Sequence, residues 1–148
     1  MEIQKDFKEL LELFNAHKVE YLIVGGYALA FHGAPRFTGD IDLLIKADGE
    51  NAKRILAALK EFGFGSLELT EDDFILPNKV IQLGLPPVRI DVMTSISGVS
   101  WEKAAVDRVQ GNYGDIIVPF ISKQDFITNK KTLGRNKDLA DIEALNDD

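Results

Sequence analysis

Two acids separated by one apolar residue, Asp40-Ile41-Asp42, are the residues of this chain best suited to chemistry. They open the run Asp40 to Ile45, whose length and apolar content predict a strand. Side chains on a strand alternate between faces, so Asp40 and Asp42 share one side and Ile41 and Leu43 take the other. Like charges held together on a half-buried surface repel and lose hydration, and a divalent cation is the simplest remedy. The plainer reading makes Asp40 a strand-end cap and leaves Asp42 in solvent. A third carboxylate, Asp91, is the only acid in the apolar run Val88 to Thr94. Buried in a strand, it needs a cation or an ion pair, with Arg89 or Arg108 as the candidates. Alternation is expected to set Arg89 on the face opposite Asp91, which makes a bridge within the strand awkward.

The elements ahead of the acid pair suit a phosphate. Tyr21 to Val24 is a short apolar run that predicts a buried strand, and it stops at Gly25-Gly26. Tyr27 to Phe31 then reads as the first turns of a helix, followed by the turn residues Gly33-Ala34-Pro35 and Thr38-Gly39. Glycines let the backbone approach a phosphate, and amides at a helix start favour its charge. The dinucleotide fingerprint is excluded because no glycine follows Gly26 until Gly33. The ATPase phosphate loop is excluded because the chain lacks its Gly-Lys-Ser/Thr ending.

Val24-Gly25-Gly26, a spacer, and then Asp40-Ile41-Asp42-Leu43 resemble the nucleotidyltransferase signature of the DNA polymerase beta superfamily. The stretch Pro35 to Asp42 and the tail Gly134 to Glu143 look like a group of small stand-alone members. That group is similar to abortive-infection toxins and lincosamide-type antibiotic nucleotidyltransferases. The resemblance implies that Asp40, Asp42 and Asp91 ligate Mg2+ or Mn2+ and are catalytic. It also implies that Gly25 and Gly26 contact a nucleoside triphosphate. Arg36 would meet a β- or γ-phosphate, or else is a surface arginine, and Thr38 would steady the loop or the site. The implied reaction moves a nucleoside monophosphate to a hydroxyl acceptor: a small molecule, RNA or protein. A non-catalytic module, such as an antitoxin-type partner of another protein, is the alternative. A metal-dependent phosphodiesterase is a third reading, without added histidine ligands in its support. His17 and His32 read as structural.

Composition narrows the classes. The 148 residues predict one domain, and 45% hydrophobic with 28% charged residues is an ordinary globular mix. Without cysteine, disulfides and thiolate metal sites are excluded. No apolar run reaches the length of a membrane span, and Met1 to Asp6 is unlike a signal peptide, so the cytoplasm is the expected compartment. A net charge of −7 argues against broad, non-specific nucleic-acid binding. Between residues 123 and 137, however, five basic residues face one acid. Lys130, Arg135 and Lys137 are the nucleotide-binding candidates there, with a solvated helix face as the competing reading. Association with itself or with a partner protein stays open.

The positioning elements follow from periodicity. Residues 2–17 place Ile3, Phe7, Leu10, Leu11 and Phe14 at helical spacing. Asn51 is a plausible cap for a helix whose apolar face runs from Ala52 to Phe62, and residues 66–78 form an irregular connection. Lys79 to Leu85 and Val88 to Thr94 predict antiparallel strands. Ser100 caps a short helix, and 109–110 and 115–121 read as strands around the turn Gly111 to Gly114. Helices from Ser122 to Leu133 and from Lys137 to Leu145 finish the chain, with Leu139, Ile142 and Leu145 buried in the last. The order predicts an α/β (α+β) architecture with a mixed sheet of about four or five strands and helices mainly on one face. The resemblance implies the nucleotidyltransferase fold: a core of about 1–121 with a helical extension of about 122–148.

Overall fold

A computed structural model of the chain describes residues 3–34, 39–65 and 67–146. Arg36 and Thr38 lie outside the described residues. The elements run α1 (Lys5–Ala16), β1 (Tyr21–Val24), α2 (Gly25–Phe31), β2 (Asp40–Ile45), α3 (Gly49–Leu59), β3 (Val80–Leu83) and β4 (Arg89–Met93). They continue with α4 (Trp101–Asp107), β5 (Val109–Tyr113), β6 (Ile116–Phe120), α5 (Lys123–Leu133) and α6 (Asn136–Asn146).

The strands form one mixed sheet of six, in the order β3-β4-β2-β1-β6-β5, so the pair β5–β6 extends the expected sheet. The two strands bearing the acids, β2 and β4, lie side by side and parallel, while β1 runs antiparallel to β2. Both faces of the centre are closed: Tyr21, Ile23 and Leu43 are buried on one, Leu22 and Leu44 on the other. From α1, Phe14 meets the Tyr21 ring edge-on at 5.5 Å. Phe31 of α2 stacks on Phe120 of β6 at 4.0 Å. Fully burying such a side chain contributes about 1.5–3 kcal/mol, so the α1 and α2 contacts anchor the sheet that carries the acids.

Several elements depart from expectation for local reasons. The α1 helix begins at Lys5, with the Gln4 side chain accepting from the Asp6 amide, and Ile3 lies outside it, exposed. The α3 cap is Asp48, whose carboxylate accepts from the Asn51 N–H at 2.8 Å. Asn51 is instead a buried clamp. Its amide oxygen accepts from the Glu20 N–H at 2.8 Å, and its amide nitrogen donates to the carbonyls of Glu20 and Lys46. It thereby locks the entry of β1 to the exit of β2. Gly111 to Tyr113 belong to β5 rather than to a turn. A Cβ at Gly111 would run into the Phe31 and Phe120 rings, and Gly114, at φ +64°, makes the turn instead. In α6 the expected Leu139 is half exposed, whereas Asp138 and Asp141 are buried with Ile142 and Leu145. The last helix turns an acidic stripe inward because two cations await it.

Candidate active site

The acids meet through strand register. Parallel pairing of β2 with β4 sets Asp42 opposite Asp91 and Asp40 opposite Arg89, while antiparallel pairing with β1 sets Val24 opposite Asp42. Paired residues share a face, so Val24, Asp42 and Asp91 line one side of the sheet. Val24 leads directly into Gly25, the first residue of α2 and two residues earlier than Tyr27. Gly25 has φ +66°, and a Cβ built on it would overlap the Asp42 carboxylate. The glycine is required twice over, by its backbone angle and by the acid packed against it.

Burial pushes the Asp42 carboxyl up to about 6, helped by the charges of Asp91 and Asp40 and by a hydrogen bond shared with Asp91. Lys130 opposes the shift only weakly. Asp91 itself is buried and satisfied by Arg89: Nε donates to Oδ1 and Nη2 to Oδ2, each at 3.1 Å. Nη1 of the same guanidinium stands 3.7 Å from Asp40. This corrects the expectation that Arg89 faces away. Residues two apart on a strand share a face, and the fork closes on both oxygens of its neighbour.

The basic residues come from α5, α6 and the connection between them. Lys130, Arg135 and Lys137 line a cleft of about 500 Å3 together with Gly25, Gly26 and Asp42. Two of them are also tied to acids. Arg135 holds Asp138 through Nε at 2.7 Å, Nη2 at 3.2 Å and its own backbone N–H at 3.1 Å. Those hydrogen bonds hold the Asp138 carboxyl down at about 2. Lys130 Nζ lies 3.5 Å from Asp138, 3.8 Å from Asp141 and 5.3 Å from the Phe126 ring centre. Lys137 is exposed. The basic cluster is therefore at once a structural joint across Gly134 and a wall of the cleft.

Sequence reasoning missed the polar end of the cleft, where Asn78, Ser95, Ser97 and Asn129 contribute. Asn78 has φ +59°; its N–H donates to Ser95 Oγ at 3.1 Å, and that hydroxyl donates to Asn78 Oδ1 at 3.1 Å. Asn129 Nδ2 donates to the Ser97 carbonyl at 2.8 Å. Asn78 ends the stretch expected as an irregular connection, and the sequence did not show that it lines the cleft. His17 and His32 stand apart from the acids: His17 lies 3.4 Å from Glu61, and His32 Nε2 meets the Ile121 carbonyl at 2.7 Å.

A family model described as "Nucleotidyltransferase of unknown function (DUF6036)" matches residues 1–146. The chain belongs to this nucleotidyltransferase family. Solved structures agree on the fold. The lincomycin-bound lincosamide antibiotic adenylyltransferase LnuA is 18% identical with a TM-score of 0.58, covering 97% of this chain and 96% of that one. The antibiotic-resistance factor ANT(2'')-Ia is 14% identical with a TM-score of 0.59, covering 95% and 80%. An antigenic nucleotidyltransferase-like protein from Paracoccidioides brasiliensis is 20% identical with a TM-score of 0.59, covering 97% and 76%. No curated protein is similar enough in sequence to count as a relative. This nucleotidyltransferase-family chain has the mixed α/β sheet flanked by helices that the motif implied. Among its described residues, no helix is long and apolar enough to cross a membrane.

Proposed function

We propose that the chain moves a nucleoside monophosphate from a nucleoside triphosphate to a hydroxyl acceptor, with Mg2+ or Mn2+ held by Asp40, Asp42 and Asp91. The observation that carries this reading is the register that sets Asp42 against both Asp91 and the Gly25 turn. The donor set suits a hard cation, since every donor is a carboxylate oxygen and two of the three stand in register. Among the described residues no three of His, Cys, Asp and Glu converge as metal ligands as they stand, and both Asp91 oxygens are engaged by Arg89. When bound, the cation supplies charge neutralisation at the phosphates and a more acidic acceptor hydroxyl.

The chain's own residues do the rest. The bare backbone of Gly25 and Gly26 admits the triphosphate close to Asp42. Lys130 and Lys137, with Arg135, draw its charge into the cleft, and Arg36 and Thr38 are proposed to contact it. Asp91 takes the proton of the acceptor hydroxyl, whose oxygen bonds the α-phosphorus as the bridge to the β-phosphate breaks and pyrophosphate leaves. The acceptor is a small molecule, RNA or a protein.

Incubating the protein with α-labelled ATP, magnesium and a cell extract tests the reading. Label on an acceptor, lost in Asp42→Asn, is the expected result. The Arg89–Asp91 pair favours a second reading, a non-catalytic module that neutralises its own acids. That module would bind nucleotide equally with or without a chelator and transfer nothing.

A further inference from the structure

The acids carry a resident counter-ion. Arg89 spans Asp91 with two hydrogen bonds of 3.1 Å, so each carboxylate oxygen already has a cationic partner. Its third nitrogen lies 3.7 Å from Asp40, which the β2–β4 register sets directly opposite. One guanidinium thus bridges two of the three acids. The two ends of this pair differ in access to water. The Asp91 side chain is 9% exposed, whereas that of Arg89 is 33% exposed. Arg89 can leave toward solvent and be hydrated there. Asp91 cannot, and needs another positive charge in its place.

We propose that Arg89 occupies Asp91 in place of a divalent cation, and that the cation engages Asp91 only by displacing it. The proposal rests on the metal-dependent reading above. It explains why the described acids do not already converge as ligands: the fork turns both Asp91 oxygens to itself. Arg89 then weakens cation binding, because each binding event breaks a bidentate pair. Lysine at this position keeps the charge but lacks the planar fork that covers both oxygens.

Mn2+ binding to the purified protein, followed by calorimetry and by the electron paramagnetic signal of free Mn2+, tests this without any turnover. Arg89→Gln should bind Mn2+ about tenfold more tightly than the parent, the equivalent of about 1.4 kcal/mol. Arg89→Lys should fall between them. Without metal, Arg89→Gln should melt earlier, and saturating Mn2+ should raise its midpoint by more than it raises the parent's. Should Arg89→Gln fail to fold, Arg89→Lys decides the matter alone by its tighter binding. Unchanged or weaker affinity in the folded variants, with the parent still binding Mn2+, overturns the role of Arg89 and leaves the metal-dependent reading intact. No binding by the parent or either variant overturns both.

Discussion

The carboxylate of Asp42 rests against the bare Cα of Gly25, with its Cγ 2.9 Å from where a Cβ would stand. One contact therefore joins the acid strand to the glycine turn. It accounts for a glycine at a position that also has φ +66°. Gly25→Ala should lose about 1–2 kcal/mol to its left-handed backbone, and more to overlap with Asp42. In a double-mutant cycle read by thermal melting, Gly25→Ala should cost less in an Asp42→Ala background. Simple additivity would separate the two residues energetically.

Asp42 makes the metal-free protein sensitive to pH. Its carboxyl is raised from 3.8 to about 6, so the folded state holds that proton more tightly than the unfolded chain does. Its contribution is fully favourable below pH 4 and is lost as pH rises through about 6. The loss is about 2–3 kcal/mol for a shift of this size. Asp42→Asn should accordingly be more stable than the parent at pH 7.5 without metal, and nearly equal to it at pH 4. Urea unfolding at the two values measures this. Magnesium affinity of the parent should fall as pH drops through about 6, because proton and cation compete for one carboxylate.

Asp138 is the joint of the tail. It accepts from the Arg135 backbone and guanidinium, and it lies within 3.5 Å of Lys130. Its carboxyl is held at about 2, below the ordinary 3.8, so the stability it confers is present above about pH 4 and lost as pH falls through 2. Asp138→Ala should lower the melting midpoint by several degrees and speed amide exchange throughout α6. Exchange unchanged in α6 would show that its apolar residues Ile142 and Leu145 hold it alone.

Lys137 lines the same cleft but lies on its exposed rim. Lys137→Glu should weaken triphosphate binding severalfold at low salt and much less at 0.5 M salt, with the melting midpoint unmoved. Affinity unaltered at low salt would return Lys137 to the solvated face of α6.

Most of the elements, and the acids able to share a face, were legible in the residues themselves. Apolar periods placed α1, β1, β2 and β4, and acid-apolar-acid on a strand fixed which side chains share a face. Those are local properties, read from residues a few positions apart. Tertiary structure decided which residues far apart in sequence would meet. Only the parallel β2–β4 register brings Asp42 against Asp91, and only the antiparallel β1–β2 pairing brings Gly25 onto Asp42. Asn51 looked like a cap, yet it is a clamp because Glu20 and Lys46 converge on it. Leu139 fitted an apolar stripe, yet Asp138 and Asp141 turn inward because Lys130 and Arg135 stand opposite. Arg89 differs from these: the period of the strand already puts it on the face of Asp91, and the expectation of opposite faces misapplied that period. What folding added was the burial of Asp91, which removes water as a partner and makes the guanidinium its counter-ion.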